Sequence, residues 1–207
     1  MKTHRVVLVG ICGLALSGCA SMNKAECLVS DWQMIGYEDG ARGSGSQRLA
    51  KHRKACAKHG IVPDLAAYQR GRSEGLQEYC QPTRGFALGT SGAAYAGACP
   101  AELEAGFLDA YNAGHHLWQL KTSVFSANRR IRSKKSALDQ VKKDLVAKEA
   151  ALVSDEATSE QRMALLAKVK ELSEKRGQLQ VEIEGLIIVR TQRQGELYAY
   201  QAELDLE

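Results

Sequence analysis

From Leu117 an apolar residue returns at every seventh position: Leu117, Val124, Ile131, Leu138, Leu145 and Leu152. After the polar stretch SDEATSEQ (154–161) the series resumes at Leu165, Leu172, Leu179 and Leu186. A second series, Leu120, Val141, Val169, Ile183 and Leu197, fills some of the alternate positions. A seven-residue repeat keeps one stripe of a helix turned toward a partner helix, so this pattern restricts the region to a coiled coil. Two such helices joined by a short polar turn fold back on each other. The registers agree with that: Leu152 with Leu165, Leu145 with Leu172, Leu138 with Leu179 and Ile131 with Leu186 are symmetric about one turn. Thr158 with Gln161 fits a capping box restarting the helix. Asp155 and Glu156 lie just before that N-terminus, where its partial positive charge favours acids. An antiparallel hairpin with arms of roughly 50 Å is expected. A single long helix in a parallel oligomer is the alternative. Lys134, Lys148, Arg176 and Arg190 fall on the core series, where their stems can line the seam while the charge stays wet.

One dense run of cations interrupts this region: RRIRSKK, with Arg129, Arg130, Arg132, Lys134 and Lys135. Its plain reading is a solvated helix face. Its sharper reading is a contact for acidic envelope polymers or lipid headgroups.

The chain opens with Lys2 and Arg5, then an apolar run of about eleven residues, too short to span a bilayer as a helix. Such a start is a secretory signal. Its end, Leu16, Ser17, Gly18 and Cys19, resembles the lipobox of bacterial lipoproteins. That resemblance implies cleavage before Cys19, acyl chains on its sulfur and amine, and attachment to a membrane. With Ala20 in place of an aspartate next to the cysteine, it points to the periplasmic face of the outer membrane. Without Lys2 and Arg5 the formal charge falls from +4 to +2. That balance gives no footing for nucleic acid.

Six cysteines are present; Cys12 falls in the signal and Cys19 carries lipid. Cys27, Cys56, Cys80 and Cys99 remain. An even number in an exported chain reads as two disulfides. Three pairings are possible, and Cys27–Cys56 with Cys80–Cys99 closes the shorter loops.

The region holding these cysteines repeats Tyr-x-x-Gly: Tyr37 with Gly40, Tyr68 with Gly71, and Tyr111 with Gly114. Gly36 with Gly40, and Gly71 with Gly75, are four apart and share a helix face. Glycine weakens a helix by about 1 kcal/mol relative to alanine, so paired glycines imply closely approaching backbones with the tyrosines packed beside them. A ligand groove lined by Tyr37, Tyr68 and Tyr111 is the functional alternative. Residues 46–60 read as a helix from Ser46 to a stop at Gly60, Asp64 caps the next, and Pro100 suits the start of the long helix. Residues 83–99, with glycine every few positions, read as a loop-rich β-hairpin.

Catalytic signatures are lacking. There is no Gly-x-Ser-x-Gly, no His-Glu-x-x-His and no phosphate-binding Gly-Lys-Ser loop. His52, Cys56 and His59 share a helix face and are weak metal-ligand candidates, but Cys56 is better used in a disulfide. No cofactor or metal is expected, and the reading is not an enzyme.

The motifs GYxDG (36–40), PDxxxYxxGxxxGLxxYC (63–80) and GxxxGxxGxxYxGxCP (85–100) together resemble a family of Gram-negative lipoproteins known only as a domain of unknown function. The resemblance covers residues 27 to about 117 and implies no catalytic or ligand residue. The expected architecture is mainly α. After a signal (1–18) and a lipidated linker (19–26) comes a disulfide-linked, Gly-rich helical head with a possible β-hairpin (27–120), then a helical-hairpin coiled coil (121–207). The expected role is a structural or adaptor lipoprotein, with an envelope protein or the cell wall as partner. A module for a small envelope ligand is the alternative, and a cell-wall enzyme or metal carrier a weaker one. The oligomeric state is left open.

Overall fold

The computed structural model describes residues 22–205, so Cys19 and the whole leader lie outside the described residues. The described residues contain seven helices and no strand. They form two compact units. The first runs to Tyr79 and includes Ala96–Cys99; the second comprises Cys80–Tyr95 and the chain from Pro100 onward.

In the first unit, α1 (Lys24–Val29) starts with a capping box between Asn23 and Glu26. α2 (Trp32–Ala41) is capped by Asp31, which accepts from the Gln33 and Met34 amides. α3 (Gln47–Ala57) ends before Gly60, whose φ of 72° is the left-handed turn that glycine adopts without steric cost. α4 (Leu65–Tyr79) is capped by Asp64, which accepts from the Ala67 amide at 2.9 Å. Cys27 on α1 and Cys56 on α3 form a disulfide, with Cα atoms 5.6 Å apart, and both pack with Trp32 and Tyr68 in the core. Cys99 of this unit, and Cys80 of the second, are each in disulfide form.

The glycine pairs explain how α2 and α4 meet. A Cβ on Gly36 or Gly40 would overlap the carbonyl oxygens of Tyr68 and Arg72 on α4. Reciprocally, a Cβ on Gly71 or Gly75 would overlap those of Gln33 and Tyr37 on α2. Each helix therefore lays bare backbone against bare backbone, a separation at which Cα–H groups contact carbonyls directly.

The second unit repeats the device. α5 (Pro82–Thr90) begins with Pro82 in its first turn, where the missing N–H costs nothing. Its Gly85 and Gly89 meet the carbonyls of Phe107 and Tyr111 on α6 (Ala101–Leu152), and Gly114 of α6 meets that of Phe86. The β-hairpin expected over residues 83–99 is thus corrected to a helix followed by an irregular segment. The glycines read there as turn residues are the contact face of α5.

α6 and α7 (Ser159–Leu204) form the expected antiparallel hairpin. The Thr158–Gln161 capping box is present. Leu138, Val141 and Leu145 pack against Leu172, Leu179 and Ile183, and Leu117 and Val124 against Leu197. Lys134 and Glu182 are equidistant in sequence from Thr158 and bond at 2.6 Å. His116 and Tyr200 are equidistant too, and their rings meet edge to face at 4.5 Å. One register thus holds along the seam. At 52 and 46 residues the helices are roughly 78 and 69 Å long. The break expected near Leu120 has no counterpart in the backbone, because α6 continues through it from Ala101.

The turn is gripped by Arg162. Its guanidinium donates to the carbonyls of Leu152, Ser154 and Ala157 at 3.0, 2.8 and 3.2 Å. It thereby satisfies carbonyls that the end of α6 leaves without intrahelical partners.

Candidate functional site

The chemistry of the first unit converges on Asp39. Although charged residues are rarely buried unless paired, Asp39 is only 3% exposed. It lies three residues after Gly36 and next to Gly40, so the close approach of α4 encloses it. Tyr68 of α4 donates its hydroxyl to Asp39 Oδ2 at 3.0 Å. His52 Nε2 of α3 reaches the same oxygen at 2.8 Å, and with a carboxylate as acceptor that nitrogen is the donor. Arg48 Nε donates to Oδ1 at 3.3 Å. The Asp39 carbonyl accepts from the Ser44 amide, and the Ser44 carbonyl from Arg72. Around this lie Trp32 and Tyr68, each edge-on to His52 with centroids 6.2 Å away.

Both Asp39 oxygens are bonded, so the carboxylate joins α2, α3 and α4. Burial, and then the hydrogen bond to Asp39, push the Tyr68 phenol well above its ordinary value. Tyr68 stays a neutral donor. Tyr37 donates to Glu78 at 2.8 Å, and that bond raises its phenol as well.

Beside the cluster, a cavity of 480 Å³ is lined by Ser44, Gly45, Ser46, Gln47, Arg48, Lys51 and Ala96. Its charged side chains are both cationic, and Ser46 at the head of α3 makes no side-chain cap.

The three tyrosines sit in different surroundings. Tyr68 is buried, with its hydroxyl on Asp39. Tyr37 lies on α2, half-buried. Tyr111 belongs to the second unit and donates to the Ala93 carbonyl at 3.0 Å. There it begins a ring column, stacking on His115, which stacks in turn on Trp118 at centroid distances of 5.6 and 5.3 Å. The metal candidates are likewise separated by their bonds. Cys56 is in a disulfide, His52 holds Asp39, and His59 is exposed. Among the described residues no group of three or more His, Cys, Asp or Glu could hold a metal ion. Of the basic run, Arg129, Arg130, Arg132 and Lys135 are exposed on α6. Lys134 is half-buried and paired with Glu182.

Outside the GYxDG motif (36–40), the sequence gives Asp39 no role of its own, and it singles out none of Arg48, Arg72 and Arg162. One signal was available: Asp39 shares the helix face of Gly36, three residues earlier, and a face built for close packing buries what it carries.

Residues 31–116 match a family described as Protein of unknown function (DUF2799). No curated protein and no solved structure matches the chain.

Proposed function

We propose that this chain is a lipid-anchored envelope protein with a structural or adaptor role, held through acyl chains on Cys19 at the periplasmic face of the outer membrane. The observation that carries the interaction reading is how the polar side chains are used. Asp39, His52, Tyr68 and Arg48 bond to one another, whereas the long hairpin presents exposed cations and apolar residues. Two disulfides suit an oxidising compartment. Among the described residues no helix is long and apolar enough to cross a membrane, so attachment would rest on the acylated cysteine. Several acyl chains make such anchoring stable.

The test is crosslinking in intact cells with mass spectrometry of the recovered protein. Crosslinks to a partner should map to residues 121–205, and the peptide beginning at Cys19 should carry acyl mass. A protein starting at Met1, unacylated and with free thiols, would refute the reading. A second reading has one observation in its favour, the cavity between Arg48 and Lys51, which suits a small anion. Calorimetric titration with phosphate and with dicarboxylates tests it, and heat unchanged by Lys51→Glu would reject it.

A further inference from the structure

Residues 121–143 of α6 carry eight cations and a single acid, Asp139. Four of those cations belong to one exposed row. Lys121, Phe125, Asn128, Arg132, Lys135, Asp139, Lys142 and Val146 follow one another at alternating steps of four and three, the spacing of a stripe along a coiled-coil helix. All are exposed except half-buried Asn128. The row is displaced from the seam of Val124, Ile131, Leu138 and Leu145 and is turned to solvent. Phe125, 60% exposed, and Val146, 66% exposed, stand near its ends, roughly 30 Å apart along the helix. Arg129 and Lys143 flank it. None of these six cations has an ion-pair partner among the described residues; the cross-hairpin ion pair goes to Lys134 instead.

We infer that this row of α6 is a docking surface for an anionic phospholipid bilayer, on which the hairpin lies lengthwise. Cations attract the headgroups at about 1 kcal/mol each, while apolar side chains interleaved with them enter the interface. A long straight row suits a planar partner. On α7, Glu171, Glu182 and Glu196 are already paired with Lys168, Lys134 and Arg193, which leaves fewer acids there to meet a second copy of the chain. The inference rests on the reading of the chain as a membrane-tethered envelope protein, and names what its hairpin meets.

The test uses the full chain in vesicles, with Phe125→Trp as a reporter, the unsubstituted protein as the fluorescence blank, and brominated acyl chains as quencher. In mixed phosphatidylglycerol–phosphatidylcholine vesicles Trp fluorescence at position 125 should be quenched. Quenching should vanish in pure phosphatidylcholine, at high salt, and in the Arg132→Glu/Lys135→Glu/Lys142→Glu variant, since each lost cation weakens surface attraction about fivefold. Equal quenching in both vesicle types, no quenching in either, or full quenching by the triple variant would overturn the proposal. So would binding of purified cell-wall polymer with no vesicle response. The mass of the Cys19 peptide is read on the same sample. Quenching with an unmodified Cys19 supports this surface and removes the anchor. An acylated Cys19 without quenching retains the anchor and removes this surface.

Discussion

Gly71 of α4 touches Gln33 of α2 backbone to backbone: a Cβ at Gly71 would overlap the Gln33 carbonyl oxygen. Neither side can yield by turning a side chain, because the obstacle is main chain. Gly71→Ala should therefore fall at or above the upper end of overpacking costs, about 3 kcal/mol. Gly177 in α7 has nothing within reach of an added Cβ, so Gly177→Ala should stabilise by about 0.5–1 kcal/mol through helix propensity alone. Urea midpoints of the two variants should move in opposite directions.

Asp39 serves three side-chain donors with two oxygens. Asp39→Ala leaves the donors of His52, Arg48 and buried Tyr68 without their acceptor and should cost about 3–5 kcal/mol. Asp39→Asn, which keeps one acceptor oxygen, should cost less. Thermal melts, with circular dichroism to confirm retained helix, give the ranking.

Tyr68 sets an alkaline limit. Its phenol is raised in the folded state, so above about pH 10 the unfolded chain has lost a proton that the native chain keeps. Stability is fully present below that pH and falls as pH rises toward the folded value. Tyr68→Phe should lower stability at neutral pH, by about 1.5–3 kcal/mol for a hydrogen bond to a charged group. It should also flatten the loss above pH 10. Urea denaturation across the alkaline range reads both effects.

Two arginines of α7 should behave in opposite ways. Arg162→Ala removes donors to three carbonyls at the turn and should destabilise by about 2 kcal/mol. Arg190 lies on the seam with its Nε buried and unpartnered, so Arg190→Leu should stabilise by about 1–2 kcal/mol. Hydrogen exchange of α6 and α7 amides would show faster opening near the turn in the first variant and slower opening near residue 190 in the second.

The hairpin was readable because its register repeats: Leu138, Leu145, Leu172 and Leu179 recur at a fixed interval, and the Thr158–Gln161 signal is local. The glycine pairs of α2 and α4 were readable for a related reason, since spacing by four has one helical meaning. Residues 83–99 misled because frequent glycine is compatible with both a turn and a close helix contact. What separates the two is the partner, here Phe107 and Tyr111 of α6, which local spacing does not show. The Asp39 cluster was hidden likewise. Its members lie at positions 39, 48, 52 and 68, and only the packing of three helices joins them.

The reciprocity of the glycines in α2 and α4 limits how this domain can evolve. Where a bulky side chain presses on its neighbour, a second mutation can relieve the crowding by trimming that neighbour. At Gly36, Gly40, Gly71 and Gly75 the opposing surface is peptide backbone, and no amino acid is smaller than the one already there. A replacement at these four positions thus has no suppressor on the opposing helix, and tolerated variants should instead come from shifting a whole helix away.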